Sequence, residues 1–121
     1  MMKPKIDSTQ FGSITINGET FDHDIIIRLS GKIKKRKKKL SKKVFGSSHT
    51  VSRQEAEHVY DEGAELLVFG TGQYGAAKMS EEAEAFLAEQ GCRVKALPTP
   101  QAIKEYNESE GKTIGLFHTT C

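Results

Sequence analysis

The chain has 121 residues, of which 36% are hydrophobic and 28% charged, with a formal net charge of +2 and two cysteines. This length makes one domain over 1–121 with a single core. No apolar run approaches the roughly 18 to 20 residues of a membrane span, and MMKPKIDSTQ lacks the apolar centre of a secretory signal. Cys92 and Cys121 make a poor disulfide framework, so a cytoplasmic, reducing setting is expected.

The first predicted element is a β-hairpin over residues 13–21. Ile14 and Ile16 alternate with polar neighbours, and Asn17-Gly18 supplies the two positions that tolerate positive φ. The returning strand is expected to continue through Ile25-Ile26-Ile27, with a bend at Asp22-His23-Asp24. Residues 32–43, KIKKRKKKLSKK, hold nine of the 18 basic residues and no acidic one, leaving a body of about −7 elsewhere. Such a run repels itself, so an exposed, mobile loop without a buried face is expected, dispensable for folding.

Three helix–strand units follow. Ser52-Arg53-Gln54-Glu55 reads as a capping box in which serine and glutamate satisfy each other's free backbone donors. Its helix presents Ala56, Val59 and Tyr60 and stops by Gly63. Leu66-Leu67-Val68-Phe69 is an apolar run without alternation, the pattern of a strand covered on both faces. The second helix begins at Ser80, presents Ala83, Phe86 and Leu87, and stops at Gly91; a strand over 92–97 follows. The third has Thr99 as N-cap and Pro100 at the first helical position. The last strand is Thr113 to Phe117. The order ββαβαβαβ predicts an α/β fold with a mostly parallel central sheet and an antiparallel hairpin at its N-terminus.

Between the strand at 66–69 and the helix at Ser80 lies Gly70-Thr71-Gly72-Gln73-Tyr74-Gly75, a literal G-x-G-x-x-G. A dinucleotide site places its third glycine inside the first turns of the helix. Here Ala76 to Met79 intervene, and the helix opens with Glu81 and Glu82, which would repel a phosphate. The acidic residue expected after the next strand is also missing, so no dinucleotide cofactor is expected. The glycines are read instead as permitting a tight turn and a close backbone approach.

In such a sheet, ligands bind at the C-terminal ends of the parallel strands. Four segments are expected to meet there: the basic loop down to His49, the glycine loop to Lys78, Leu97-Pro98-Thr99, and the tail His118 to Cys121. This makes Gly70, Thr71, Gly72, Tyr74, Lys78, His49 and His118 a candidate crevice for a small anion, Lys78 following free backbone donors. His118 and Cys121 are spaced H-x-x-C, but two ligands fall short of a structural zinc site, and no metal is expected. No catalytic residue is assigned, since no orienting third residue accompanies a Cys–His pair. Lys34, Lys35, Arg36, Lys37, Lys38 and Lys39 could instead neutralise nucleic-acid phosphates, although no aromatic residue within 32–43 is placed to stack on bases.

The C-terminal half resembles the MTH-like-domain family. The likeness rests on Leu67-Val68-Phe69-Gly70-Thr71-Gly72, on Ala77-Lys78-Met79, on Thr99-Pro100-Gln101-Ala102-Ile103-Lys104-Glu105-Tyr106-Asn107, and on Gly115-Leu116-Phe117-His118-Thr119-Thr120-Cys121. It is close over 66–121 and loose over 11–121, and the lysines of 32–43 set the chain nearer to archaeal members. The resemblance implies a three-layer fold with a central sheet, and no reaction. The expectation is a small non-catalytic binding or assembly module, without cofactor and without membrane attachment, a monomer or weak homodimer. Its partner would be another protein or a small anion at the crevice, or nucleic acid at 32–43. The alternative is a small-molecule binder or enzyme using the Gly70–Lys78 loop.

Overall fold

The computed structural model describes residues 3–121; Met1 and Met2, part of the stretch read above as lacking a signal, lie outside them. The elements in chain order are β1 (Ile6–Gln10), β2 (Ser13–Ile16), β3 (Glu19–Phe21), β4 (Ile25–Ile27), β5 (Ile33–Lys35), α1 (Lys39–Phe45), β6 (Thr50–Val51), α2 (Arg53–Val59), β7 (Leu66–Thr71), β8 (Lys78–Met79), α3 (Glu81–Glu89), β9 (Arg93–Leu97), α4 (Thr99–Glu108) and β10 (Thr113–His118). The order is richer than ββαβαβαβ, because β1, β5, α1, β6 and β8 are short or polar segments with little periodicity of their own.

The central sheet has the order β5-β4-β10-β7-β9. β10, β7 and β9 run parallel, whereas β4 is antiparallel to both β10 and β5. The sheet is therefore mixed, and the expectation of a mostly parallel one is corrected. The hairpin expectation treated β3 and β4 as one returning strand. The bend at Asp22-His23-Asp24 separates them into two sheets instead, and β4 crosses to lie beside the last strand of the chain.

Three layers follow from the alternation along the strands. Leu67 and Phe69 of β7, Ile26 of β4, and Ile114 and Leu116 of β10 share one buried cluster with Ala56 and Val59 of α2 and Ala83 and Leu87 of α3. Leu66, Val68, Ile25, Ile27 and Phe117 face the other way, against Ala102 and Tyr106 of α4 and against Ile6, Ile14 and Ile16 of the small sheet β1-β2-β3. β7 is buried along its whole length, as its unbroken apolar run predicts. Asn17 and Gly18 take positive φ (51° and 81°) at the β2–β3 turn, as the Asn-Gly pair requires.

Two helix starts differ from expectation in an informative way. The Ser52 side chain caps α2 by accepting from Glu55 N–H. Glu55, however, does not reach back to the Ser52 backbone; its carboxylate is buried and turned toward Arg36 and Ser41. Thr99 is not the N-cap of α4. Its hydroxyl accepts from Gly72 N–H (2.9 Å) and donates to His118 O (2.6 Å), tying the helix start to β7 and β10.

The basic segment is not an appendage. Ile33–Lys35 forms the edge strand β5, Arg36 and Ser41 are buried, and α1 ends at Gly46 in the left-handed conformation (φ 70°), whose N–H caps Lys42 O. The expectation of a loop without a buried face is corrected, because one residue in the run, Arg36, has buried carboxylate partners far away in the chain.

Candidate functional site

The C-terminal ends of β7, β9 and β10 share one edge of the sheet. Because β4 and β5 pair in the opposite sense, Asp24 at the start of β4 and Arg36 just beyond β5 fall on the same edge, next to His118. Asp24 is almost fully satisfied. Oδ2 accepts from His118 Nδ1 (2.7 Å) and Arg36 Nη1 (2.9 Å), and Oδ1 from the Thr119 backbone N–H (2.8 Å) and hydroxyl (2.9 Å). Burial alone would raise its pKa, but the His118 hydrogen bond and charge, the Thr119 N–H and Arg36 outweigh it and hold the carboxyl well below the usual range.

Arg36 stands between two carboxylates. Nε and Nη2 grip Glu55 at 2.5 and 3.0 Å, Nη1 takes Asp24, and Nη2 also donates to Ser48 O (2.8 Å). Burial would lower its pKa, and the opposing pull of Glu55 and then Asp24 raises it, so the guanidinium stays charged in the interior. Ser41 donates to Glu55 (2.5 Å) and accepts from Ser52 N–H (2.9 Å), locking α1 to α2 beneath the cluster. With Nδ1–H donated to Asp24, His118 turns Nε2 toward Thr120 Oγ1 (3.2 Å). Asp24, His118 and Thr120 thus form a carboxylate–imidazole–hydroxyl chain along the edge.

Above this floor opens a cleft of about 550 Å³. Lys35, Lys37, Lys38 and Lys39 line it together with Gly12, Asp22, His23, Thr119 and Thr120. Lys38 Nζ lies 3.7 Å from Asp24; among the described residues Lys35, Lys37 and Lys39 make no ion pair. The four lysines share the cleft with only two acidic residues, Asp22 and Asp24. Asp24 is already shared between Arg36 and His118, while Arg36 is taken up by Glu55 and Asp24 below. The cleft is thus a concave cationic surface with two hydroxyls on its floor.

The candidate crevice at the glycine loop is occupied by the chain itself. Gln73 N–H donates to Thr120 O (2.6 Å) and Ala76 N–H to Cys121 O (3.0 Å). A Cβ on Gly72 (φ +104°) would stand 2.6 Å from Cys121 O, and one on Gly70 would stand 2.9 Å from Thr99 Oγ1 and from the Phe117 ring. The glycines serve close approach, as read from the sequence, and the backbone donors proposed for an anion hold the tail. Thr71 is buried, and Tyr74 projects into solvent. Lys78 sits in β8, its N–H bonded to His49 O (2.8 Å) and its side chain exposed.

Of the predicted set, His49 and His118 do come together, ring centroids 5.6 Å apart, with Cys121 Sγ 3.7 Å from His49 Nε2. Among the described residues no three His, Cys, Asp or Glu side chains are arranged to hold a metal ion. Among the described residues no helix is long and apolar enough to cross a membrane. Of the basic candidates, Lys34, Lys35, Lys37, Lys38 and Lys39 lie toward solvent, whereas Arg36 is buried and out of reach of a phosphate backbone. Sequence reasoning missed Asp24, Glu55, Thr119 and Thr120. Each had a sufficient local explanation, as bend, capping box or tail, and nothing local marks a carboxylate whose cation is 12 or 19 residues away.

The pattern of a family described as proteins of unknown function, DUF498/DUF598, matches residues 6–117. The fold is similar to the crystal structure of the conserved hypothetical protein PH1505 from Pyrococcus horikoshii OT3, at 35% identity over 97% of this chain and 99% of that one, with a TM-score of 0.90. It is similar to MT938 at 28% identity, covering 98% of this chain and 100% of that one, with a TM-score of 0.84. A Mth938-like domain from Bordetella pertussis shares the fold at 17% identity, over 96% of this chain and 85% of that one (TM-score 0.63).

Proposed function

The chain belongs to the MTH-like family of proteins of unknown function, DUF498/DUF598, and from its own geometry we propose that it is a binding module for a small polyvalent anion, seated in the lysine-rimmed cleft above Asp24 and Thr119. The observation that carries this reading is the cleft itself: four lysines around one concavity, three of them without a carboxylate partner among the described residues. Cations gathered on a fixed floor lose little freedom when a phosphate or carboxylate enters, and mutual repulsion between them is relieved. The buried Arg36 network supplies that fixed floor, because it ties β4, β5, α1, α2 and β10 together at one edge. The site lies at the strand C-terminal edge, beside and not within the glycine loop. Binding without chemistry is favoured because Asp24, His118 and Thr120 spend their hydrogen bonds on one another and on Arg36 and Thr119.

The test is thermal stabilisation by inorganic pyrophosphate at low salt. The intact protein should show a concentration-dependent rise in melting temperature. Replacing Lys35, Lys37 and Lys38 together by alanine should remove that rise, and Lys78→Ala should leave it intact. A rise that survives the triple replacement, or that disappears with Lys78→Ala, overturns the assignment and returns the site to the glycine loop.

A further inference from the structure

Two exposed aromatic rings are carried by turns bonded to the Thr119–Thr120 stretch that lines the cationic cleft. Gly12, on the cleft wall, donates its N–H to Thr119 O (2.8 Å), and the residue before it, Phe11, is 61% exposed at the β1–β2 turn. Gln73 donates its N–H to Thr120 O (2.6 Å), and the residue after it, Tyr74, is 79% exposed. The two rings stand with centroids 6.3 Å apart and planes inclined by 41°. Gln73 Nε2 also donates to Thr9 Oγ1 (3.0 Å), so the loop that carries Tyr74 is bonded to the strand leading into the Phe11 turn, and both are bonded to the tail that floors the cleft.

Single exposed aromatics are ordinary, but two brought together on hydrogen-bonded turns at the end of a lysine cleft form a composite surface. A simple inorganic anion has no use for the rings. A duplex keeps its base faces inside the stack and offers nothing to them. A single strand offers both chemistries at once, phosphates for the lysines and π-faces for the rings, without any requirement for a particular base. The remaining body, with nine basic residues against 16 acidic ones, is net negative and confines a polyanion to this one strip. The missing stacking partner of the basic segment is thus supplied from residues 11 and 74, far from 32–43 in sequence.

We propose that the cleft of Lys35, Lys37 and Lys38 and the Phe11–Tyr74 pair together form a binding site for single-stranded nucleic acid, a phosphate in the cleft and a base against the rings. This rests on the reading of the cleft as an anion site and adds to it the class of ligand. The chain has no tryptophan, and Tyr106 is buried, so a base stacked on Tyr74 should quench part of the intrinsic tyrosine emission.

The experiment measures binding of the whole protein to a fluorescein-labelled oligouridylate by anisotropy, alongside an abasic oligomer of equal length and charge, a duplex, uridine monophosphate and polyglutamate. The oligouridylate should bind more tightly than each of the others and quench tyrosine emission. Phe11→Ala with Tyr74→Ala should weaken oligouridylate binding by about tenfold or more, a loss of the size that base–aromatic stacking sustains. The same pair of replacements should leave abasic-oligomer binding and the pyrophosphate-induced rise in melting temperature unchanged. Equal affinity for the abasic oligomer, the duplex or polyglutamate overturns the proposal, as does indifference to loss of both rings. If pyrophosphate stabilises the protein but no oligouridylate binds, this inference alone fails. If ring-dependent oligouridylate binding is found without a pyrophosphate effect, the small-anion reading is the one that fails.

Discussion

Residues 32–43 and residues 70–78 stand on the same edge of the sheet and have opposite fates. The basic stretch contributes a side chain, Arg36, to the deepest polar cluster of the protein, while its lysines remain in water around a cleft. The glycine stretch contributes backbone and almost no side chain, and the room its glycines create is filled by Thr120 and Cys121. A run of nine like charges looks unfoldable and a glycine loop looks like a ligand cradle. What separates appearance from outcome is where the compensating groups come from. Two carboxylates distant in sequence neutralise Arg36, and the chain's own C-terminal carbonyls satisfy the glycine-loop donors before any ligand can.

The largest test of this contrast is Arg36→Ala. It strands Asp24 and Glu55 as buried carboxylates without their cation, and loss of one partner of such a cluster costs about 3–5 kcal/mol. Urea or guanidinium unfolding at neutral pH should show that loss, and an Arg36→Ala protein as stable as the parent would restore the picture of a detachable loop.

Acid should expose the same cluster from the other side. The folded-state pKa of Asp24 lies below its ordinary value of 3.8, so its contribution is fully present above that value and is lost as pH falls through it toward the folded value. Between neutral pH and about pH 5 stability should therefore be insensitive to this group, and below about pH 4 it should decline. In Asp24→Asn the decline should be shallower, so that the gap between variant and parent narrows as acid is added. Parallel acid limbs for the two proteins would show that Asp24 is not held as the geometry implies.

A smaller effect is expected in the glycine loop. Gly72→Ala forces a side chain into positive φ and against the Cys121 carbonyl, at a cost of about 1–3 kcal/mol. It should also loosen the tail, read as faster reaction of Cys121 with a thiol reagent. Cys92 is an internal reference, because burial pushes its thiol up to about 11 and keeps it unreactive until the protein unfolds. Unchanged stability and thiol kinetics would mean that the tail does not pack in the loop.

Some of this architecture was legible in the amino-acid sequence, because it is set within a few residues. The apolar run 66–69 is a buried strand, Asn17-Gly18 is a hairpin turn, Ser80 caps α3, and the serine half of the Ser52–Glu55 box forms as read. Periodicity, turn chemistry and capping are local, and the apolar faces they produce leave little choice but a layered α/β core. The tertiary structure alone decided that β4 lies antiparallel beside β10, making the sheet mixed, because a three-residue isoleucine run suits either direction equally. It alone decided that Glu55 faces Arg36 and not its own helix start, that Thr99 joins β7 to β10, and that Phe11 meets Tyr74 beside the lysines. Each of those side-chain pairings joins groups 19 to 63 residues apart, and a side chain carries no local mark of the distant partner that it will meet.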